Sequence, residues 1–324
     1  MKVSFIAIPE AMVSTISGPM DVLSSSGLLW NFLAGEEVES HFQVEVLAEL
    51  DDTVQCYNGF VMNCDACIEE VDATDLIIIP SLALGAEGLV DKHPKLISWI
   101  KTMHQQGAKV ASVCTGAFIL AESGLLNHRQ ATTHWAFSDL FAEIYPLVEL
   151  VPERSLVDTG DIATAGAGAA WQDLILKLIE VHYNKKVALQ AAKMFLLQNH
   201  QTGQKPFNTF FRPNAKDAII LSAEKWIKEH IGEQDLINRC AEHVGLSPRN
   251  LKSRFKSVTG LSPLNYIQKE RVEIAKEALE LTSRPIEEIA LNIGYGDTSF
   301  FRRVFKRETN MTPNEYRKHF KLSI

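Results

Sequence analysis

The sequence predicts two domains of different class: an α/β parallel-sheet sandwich followed by an all-α domain with two helix-turn-helix units. Three observations carry that reading. Apolar runs and amphipathic stretches alternate through the first 180 or so residues, the order expected of βα units around a parallel sheet. From residue 217 onward every long segment has helical period. Within that second part a basic segment recurs: Leu251-Lys252-Ser253-Arg254-Phe255-Lys256, Thr259, Ser262-Pro263 and Tyr266 return 50 residues later as Phe301-Arg302-Arg303-Val304-Phe305-Lys306, Thr309, Thr312-Pro313 and Tyr316. A chain of 324 residues can bury two cores, and 46% apolar with 22% charged residues fits globular domains.

In the first domain, residues 1–200, the expected strands are Lys2–Pro9, Phe42–Leu50, Asp75–Ser81, Lys109–Cys114 and Asp161–Ala165. Runs such as Leu76-Ile77-Ile78-Ile79 are apolar at every position, as in a parallel sheet buried on both faces. Helices are expected over Met20–Leu29, His93–Gln106, Ala117–Ser123 and Ala169–His182, giving a flavodoxin-like sandwich. No window approaches the roughly 18 apolar residues of a membrane span. The apolar start Met1–Pro9 lacks a small-residue cleavage site, so the expected location is cytoplasmic, with no membrane partner. A helix from about Val187 ends near His200. The breaks at Gln201–Phe207 and Arg212-Pro213-Asn214 place a linker at 201–216.

The second domain, 217–324, opens its first unit with a helix carrying Ile237 and Ala241 that stops at Gly245. Ser247 caps the next helix and Pro248 takes its first position. Leu251, Phe255 and Val258 fall on its core face, leaving Arg249, Asn250, Lys252, Ser253, Arg254 and Lys256 for DNA. In the second unit Ile286, Ile289 and Ala290 form the apolar face, Gly294-Tyr295-Gly296 the turn, and Asp297 the cap. Phe301 and Phe305 point inward, leaving Thr298, Ser299, Arg302, Arg303, Lys306 and Arg307 outside. Thr312-Pro313-Asn314-Glu315 has capping-box form and begins a last helix. Pro263 to Leu281 forms a rod about 28 Å long between the units, compatible with two readers about 34 Å apart in successive major grooves. Charge agrees: from Ser247 onward 15 Lys and Arg stand against 9 Asp and Glu, whereas the whole chain carries −8. The expected partner is double-stranded promoter DNA.

These residues resemble the DNA-binding domain of the AraC/XylS regulators. The match includes Ala241, Gly245-Leu246-Ser247, the two repeated segments, Gly260-Leu261-Ser262-Pro263, Arg271 and Thr312-Pro313 through Tyr316-Arg317. One departure is Asn310, where the family carries the glycine seen at Gly260; Asn tolerates the left-handed conformation.

In the first domain, Cys114-Thr115-Gly116 lies where a strand gives way to a helix, the context of a nucleophile elbow. A helix N-terminus at such a position can lower a thiol pKa. Asp21 is the first candidate carboxylate partner and Glu10 the second; His134, about 20 residues on, is either base or structural residue. Gly85, in the loop after the Asp75–Ser81 strand, completes the pocket candidates Cys114, Thr115, Asp21 and His134. Cys64-x-x-Cys67 has no matching second pair, so no metal and no cofactor is expected.

Gly18-Pro19-Met20-Asp21-Val22-Leu23, the elbow and Ala131-Thr132-Thr133-His134-Trp135 resemble PfpI/ThiJ-like domains of the class I glutamine amidotransferase superfamily. With Asp158, Ala163-Thr164-Ala165-Gly166 and Asp173 they resemble, more narrowly, the GlxA-type regulators, in which such a domain is fused to an AraC-type reader. That resemblance implies a degenerate catalytic triad, a pocket for a small-molecule effector, a homodimer, and an activator that contacts RNA polymerase. The alternative is a cysteine-dependent hydrolase or hydratase with an attached DNA module. A third reading makes Cys114 a redox sensor, which requires a low thiol pKa.

Overall fold

The structure is a computed structural model that describes residues 1–83, 92–198, 200, 202–209 and 217–321. The chain separates into two compact units, Met1–Gln204 and Lys205–Ile324.

The first unit is built on a seven-stranded sheet of β1 (Lys2–Ala7), β2 (Gln43–Ala48), β3 (Ala66–Cys67), β4 (Leu76–Ile79), β5 (Lys109–Val113), β6 (Leu156–Asp158) and β7 (Ile162–Ala165), in the order β6-β7-β5-β4-β1-β2-β3. All neighbouring strands run parallel except β6 and β7. Leu76, Ile77, Ile78 and Ile79 are all buried, as a strand covered on both faces requires. The five expected strands are present, each shortened at one or both ends. The short β3 and the antiparallel β6 were not expected; two or three residues give too little alternation to register as a strand.

Helices α1 (Ser14–Ser25), α2 (Leu29–Ala34), α3 (Pro94–Gln105), α4 (Ala117–Glu122), α5 (Ser138–Ile144), α6 (Trp171–His182) and α7 (Lys185–Phe195) surround the sheet order. Helix α1 starts six residues before the expected Met20, with Pro19 inside it. Gly18-Pro19 reads as a helix start, but it serves packing. A Cβ on Gly18 would stand 2.8 Å from the Trp171 ring, so the glycine lets α1 approach α6. From β1 the chain leads to β2 on one side and, after β3, to β4 on the other. The carboxyl ends of β1 and β4 therefore flank a topological switch point, where open α/β sheets bind ligands.

The second unit contains α8 (Ala218–Glu229), α9 (Leu236–His243), α10 (Pro248–Thr259), α11 (Pro263–Leu281), α12 (Ile286–Asn292), α13 (Thr298–Thr309) and α14 (Pro313–Phe320). It holds two separate cores. Ile220, Ile227, Leu236, Leu251, Phe255 and Tyr266 build one; Val272, Leu279, Ile289, Phe301, Phe305 and Tyr316 build the other. The rod α11 enters both, with Tyr266 and Ile267 in the first and Val272, Ala275 and Leu279 in the second.

The sequence repeat is a structural repeat. The Phe255 and Tyr266 rings meet edge to face at 5.2 Å, and Phe305 and Tyr316 do so at 5.3 Å. Thr259 and Thr309 each donate to the carbonyl two residues ahead at 3.0 Å. Gly260 ends α10 with φ +73 and Asn310 ends α13 with φ +60, so asparagine does take the left-handed position. The capping box at Thr312 and Glu315 is present in full. Val258 departs from expectation: it shares the face of Leu251 and Phe255 but is 37% exposed and lies outside the first core, which ends before the last turn of α10.

Candidate functional site

Helix α10 begins where Ser247 Oγ accepts the Asn250 amide at 3.3 Å, with Pro248 at its first position. Burial of Leu251 and Phe255 fixes the helix rotation, so Arg249, Asn250, Lys252, Ser253 and Arg254 are exposed together. On α13, Asp297 Oδ1 accepts the Ser299 amide at 2.8 Å, and burial of Phe301, Val304 and Phe305 leaves Ser299, Arg302, Arg303 and Lys306 exposed; Thr298 is half-buried.

Two of these arginines carry internal partners that the sequence did not announce. Arg254 Nε bonds Asp217 Oδ2 at 2.9 Å, and Arg302 Nη2 bonds Glu287 Oε1 at 2.7 Å. The Arg254 contact and the backbone amides at the start of α8 hold the Asp217 carboxyl below its usual range. Such exposed pairs hold little energy and exchange readily for a phosphate. Arg303 lies 5.7 Å over the Phe300 ring, which orients its guanidinium. Arg271 bonds the carbonyls of Ile231 and Glu233 at 3.1 Å and covers the Tyr295 ring, fastening the rod to the turn of the second unit.

At the carboxyl end of β5 the chain makes the sharp turn expected of an elbow. Cys114 has φ +57, a conformation rare for a residue with a side chain. A Cβ on Gly116 would stand 2.3 Å from the Pro80 carbonyl oxygen and 2.9 Å from that of Ile79, so β4 closes on the turn only over a glycine. Thr115 is enclosed: its hydroxyl accepts the Leu82 amide at 2.8 Å and donates to the Leu82 carbonyl at 2.6 Å.

Cys114 is 5% exposed. Burial pushes its thiol pKa up, and the hydroxyls of Ser81 and Thr115, which pull the other way, do not reverse the shift. Burial thus opposes the lowering that a helix N-terminus can give.

The α1 residue facing this cluster is Thr15, whose Oγ1 accepts the Ser81 amide at 2.9 Å. Asp21 lies about 9 Å further along the helix and is exposed on its surface, so the first-choice carboxylate does not join the elbow. Glu10 is committed elsewhere. It bonds His93 Nε2 at 3.1 Å and Lys92 at 3.2 Å, while His93 Nδ1 meets Glu49 Oε2 at 2.6 Å. His134 is half-buried and caps a short turn by accepting the Ala136 amide on Nδ1 at 3.1 Å. Burial lowers its pKa, leaving a neutral imidazole with Nε2–H as a donor. Gly85 lies outside the described residues.

Burial pushes the Cys64 thiol up to about 11, and Cys67 Sγ donates to the Leu50 carbonyl at 3.2 Å. Among the described residues no group of three or more His, Cys, Asp or Glu is placed to hold a metal ion. No helix among them is long and apolar enough to cross a membrane.

Sequence reasoning also missed Gln204, which is 3% exposed. Its Nε2 lies 2.8 Å from the Thr133 carbonyl, 2.9 Å from that of Pro152, 3.0 Å from that of Arg154 and 3.2 Å from Thr132 Oγ1. Its Oε1 accepts the Trp135 amide at 3.3 Å. The one available signal was Gly166, where a Cβ would stand 2.3 Å from Gln204 Nε2.

Just upstream, Asp173 Oδ1 accepts the His200 amide at 2.9 Å and Asp173 pairs with the His200 ring. The Asp173 bond raises the His200 pKa above its ordinary value of about 6.5. This pair stabilises the first unit fully below that ordinary value and loses its effect as pH rises through the raised one. The His200→Gln variant should therefore show a smaller fall in melting temperature than the wild type between about pH 6 and pH 8.5. Equal slopes in a thermal-melt series would remove the pair as a source of pH dependence.

Residues 1–181 match the DJ-1/PfpI family. The chain belongs to that family. Residues 240–319 match the helix-turn-helix domain. Over 282 residues the chain is 27% identical to the HTH-type transcriptional regulator CdhR of Pseudomonas aeruginosa, covering 85% of this chain and 82% of the relative. It is 24% identical to the HTH-type transcriptional regulator GlxA of Rhizobium meliloti over 298 residues, 89% of this chain and 88% of that one. Isonitrile hydratase of Pseudomonas putida is 26% identical over 226 residues, 69% of this chain and 89% of the enzyme. The crystal structure of an AraC family transcriptional regulator from Pseudomonas putida superposes with a TM-score of 0.50 at 19% identity, over 60% of this chain and 98% of that one. That likeness shows the α/β fold. The fusion makes this DJ-1/PfpI family member a DNA-binding regulator of the AraC type, while the family also includes enzymes.

Proposed function

We propose that residues 1–200 of this regulator sense a small-molecule effector without turning it over, and that residues 217–324, beyond a connection at 201–216, read promoter DNA as part of an activating homodimer that engages RNA polymerase. The observation that carries the sensing reading is the chemistry of the elbow: a buried thiol with a raised pKa, surrounded by the hydroxyls of Ser81 and Thr115, with Thr15 rather than a carboxylate facing it from α1. Nucleophilic cysteine chemistry needs a thiolate and a base. The neutral hydroxyls around a buried thiol suit binding instead. DNA reading falls to Arg249, Asn250, Lys252, Ser253 and Arg254 on α10 and to Thr298, Ser299, Arg302, Arg303 and Lys306 on α13, in adjacent major grooves.

The strained turn at Cys114 and the similarity to isonitrile hydratase favour one other reading, a cysteine-dependent hydratase or hydrolase. The Cys114→Ala variant separates the two. Under the sensing reading it keeps regulated transcription within about twofold, and wild-type protein shows no turnover of amides, nitriles, isonitriles or aldehydes. Turnover abolished by Cys114→Ala would establish the enzyme. Sedimentation at twice the chain mass is the expected result for the homodimer.

A further inference from the structure

His200 and residues 202–204, the last described residues of the first unit, are fastened by their own polar groups. The His200 carbonyl accepts Ser155 Oγ at 3.2 Å and the Gly203 amide at 2.9 Å. Gly203 adopts φ +68, and a Cβ there would stand 2.1 Å from the Glu153 carbonyl oxygen. The Gln204 amide nitrogen then enters a ring of four oxygens with two hydrogens to share among them. One of those oxygens is the Thr133 carbonyl, and the Thr133 hydroxyl donates to the Cys114 carbonyl at 3.0 Å. Gln204 Oε1 meanwhile takes the amide of Trp135, the residue after His134. The 132–135 turn is thus held on one side by the elbow and on the other by the last residue of the unit, from which the chain continues to the DNA-reading domain.

We infer that Gln204 is a positioning residue for the Cys114–His134 site and couples that site to the start of the connection. This rests on the reading of the elbow as the effector site. A ligand that displaces Thr133 or His134 loosens Gln204, and release of Gln204 loosens the turn, since coupling between two sites is reciprocal. Alanine at 204 leaves the Thr133, Pro152 and Arg154 carbonyls without their shared donor. Glutamate at 204 puts an anionic oxygen against them and disrupts more. Gly166→Ala reaches the same state without touching position 204, because the new methyl occupies the space of the amide.

The test uses the full chain, with iodoacetamide as the probe of the elbow and amide exchange read by peptide mass spectrometry. In Gln204→Ala and Gly166→Ala alike, alkylation of Cys114 should rise roughly tenfold, and exchange should rise at residues 131–136, while strands β1 and β4 exchange as in the wild type. Conversely, wild-type chain alkylated at Cys114 should exchange faster at residues 202–206. That arm needs no variant, so it stands even if the substitutions do not fold. Unchanged alkylation and unchanged exchange at 131–136 would overturn the inference. So would a uniform rise across the sheet, which would make Gln204 a general stabiliser, or an alkylated wild type with unaltered exchange at 202–206. A failed effector screen would count against the sensing reading but leave these results as they are.

Discussion

Replacing Arg302 and Arg303 together with alanine is expected to weaken binding to the cognate promoter by at least about a hundredfold. It should also lower the magnitude of the slope of log affinity against log salt by up to about 2. Both side chains are exposed on one face of α13 because Phe301, Val304 and Phe305 hold the opposite face in the core. The two arginines should not contribute alike. Arg302 starts from a contact with Glu287, so part of its gain on DNA is offset by the pair it leaves. Arg303 lies over Phe300, and among the described residues no carboxylate pairs with its guanidinium, so it can address a base edge or a phosphate. Single variants sort the roles: loss of a base contact relaxes sequence preference, whereas loss of a phosphate contact weakens all sequences equally. Filter binding or fluorescence anisotropy across a salt series, on cognate and scrambled duplexes, reads both quantities. Unchanged affinity and slope in the double variant would remove α13 from the interface.

Much of this arrangement was legible in the sequence, for physical reasons that differ between the domains. In the second unit the apolar positions recur at helical spacing, the caps expected at Ser247, Asp297 and Thr312 are in place, and the rod was bounded correctly by Pro263 and Leu281. Local signals of that kind need no tertiary knowledge. Val258 failed because helical spacing gives the face a residue lies on but not how far along the helix the core extends. In the first unit the strands were legible from their uninterrupted apolar runs and the elbow from Cys114-Thr115-Gly116.

The site around the elbow was less legible, since it is assembled from residues distant in sequence. Asp21 was favoured for its charge, but the rotation of α1 is set by Pro19, Val22 and Leu23 packing inward, and that turns Asp21 to the surface and Thr15 to the elbow. Gln204 carries no signal as a lone glutamine near a break. Its importance follows from Gly166, which no local rule connects to a residue 38 positions later. A turn-and-helix motif states the dipole but not the burial, and burial pushes the Cys114 thiol pKa up.

The second large effect is expected from the repeat itself. Phe255→Ala and Phe305→Ala each delete a fully buried ring facing the tyrosine eleven residues on, and each should cost about 3–5 kcal/mol. Because the rings belong to different cores, the losses should be local. Phe305→Ala should release amide protection over α12 to α14 and the Val272–Leu279 half of α11, with α8 to α10 largely retained; Phe255→Ala should do the reverse. On DNA, each variant should shorten the footprint by one groove's contacts rather than abolish it, since the surviving unit keeps its own basic face. The rod sets the limit of this independence. Tyr266 and Ile267 anchor one end of α11 and Leu279 the other, so a helix frayed from one core remains pinned in the other. If both variants instead lower protection uniformly across residues 218–320, the two cores melt as one, and the repeated module is a unit of sequence without being a unit of stability.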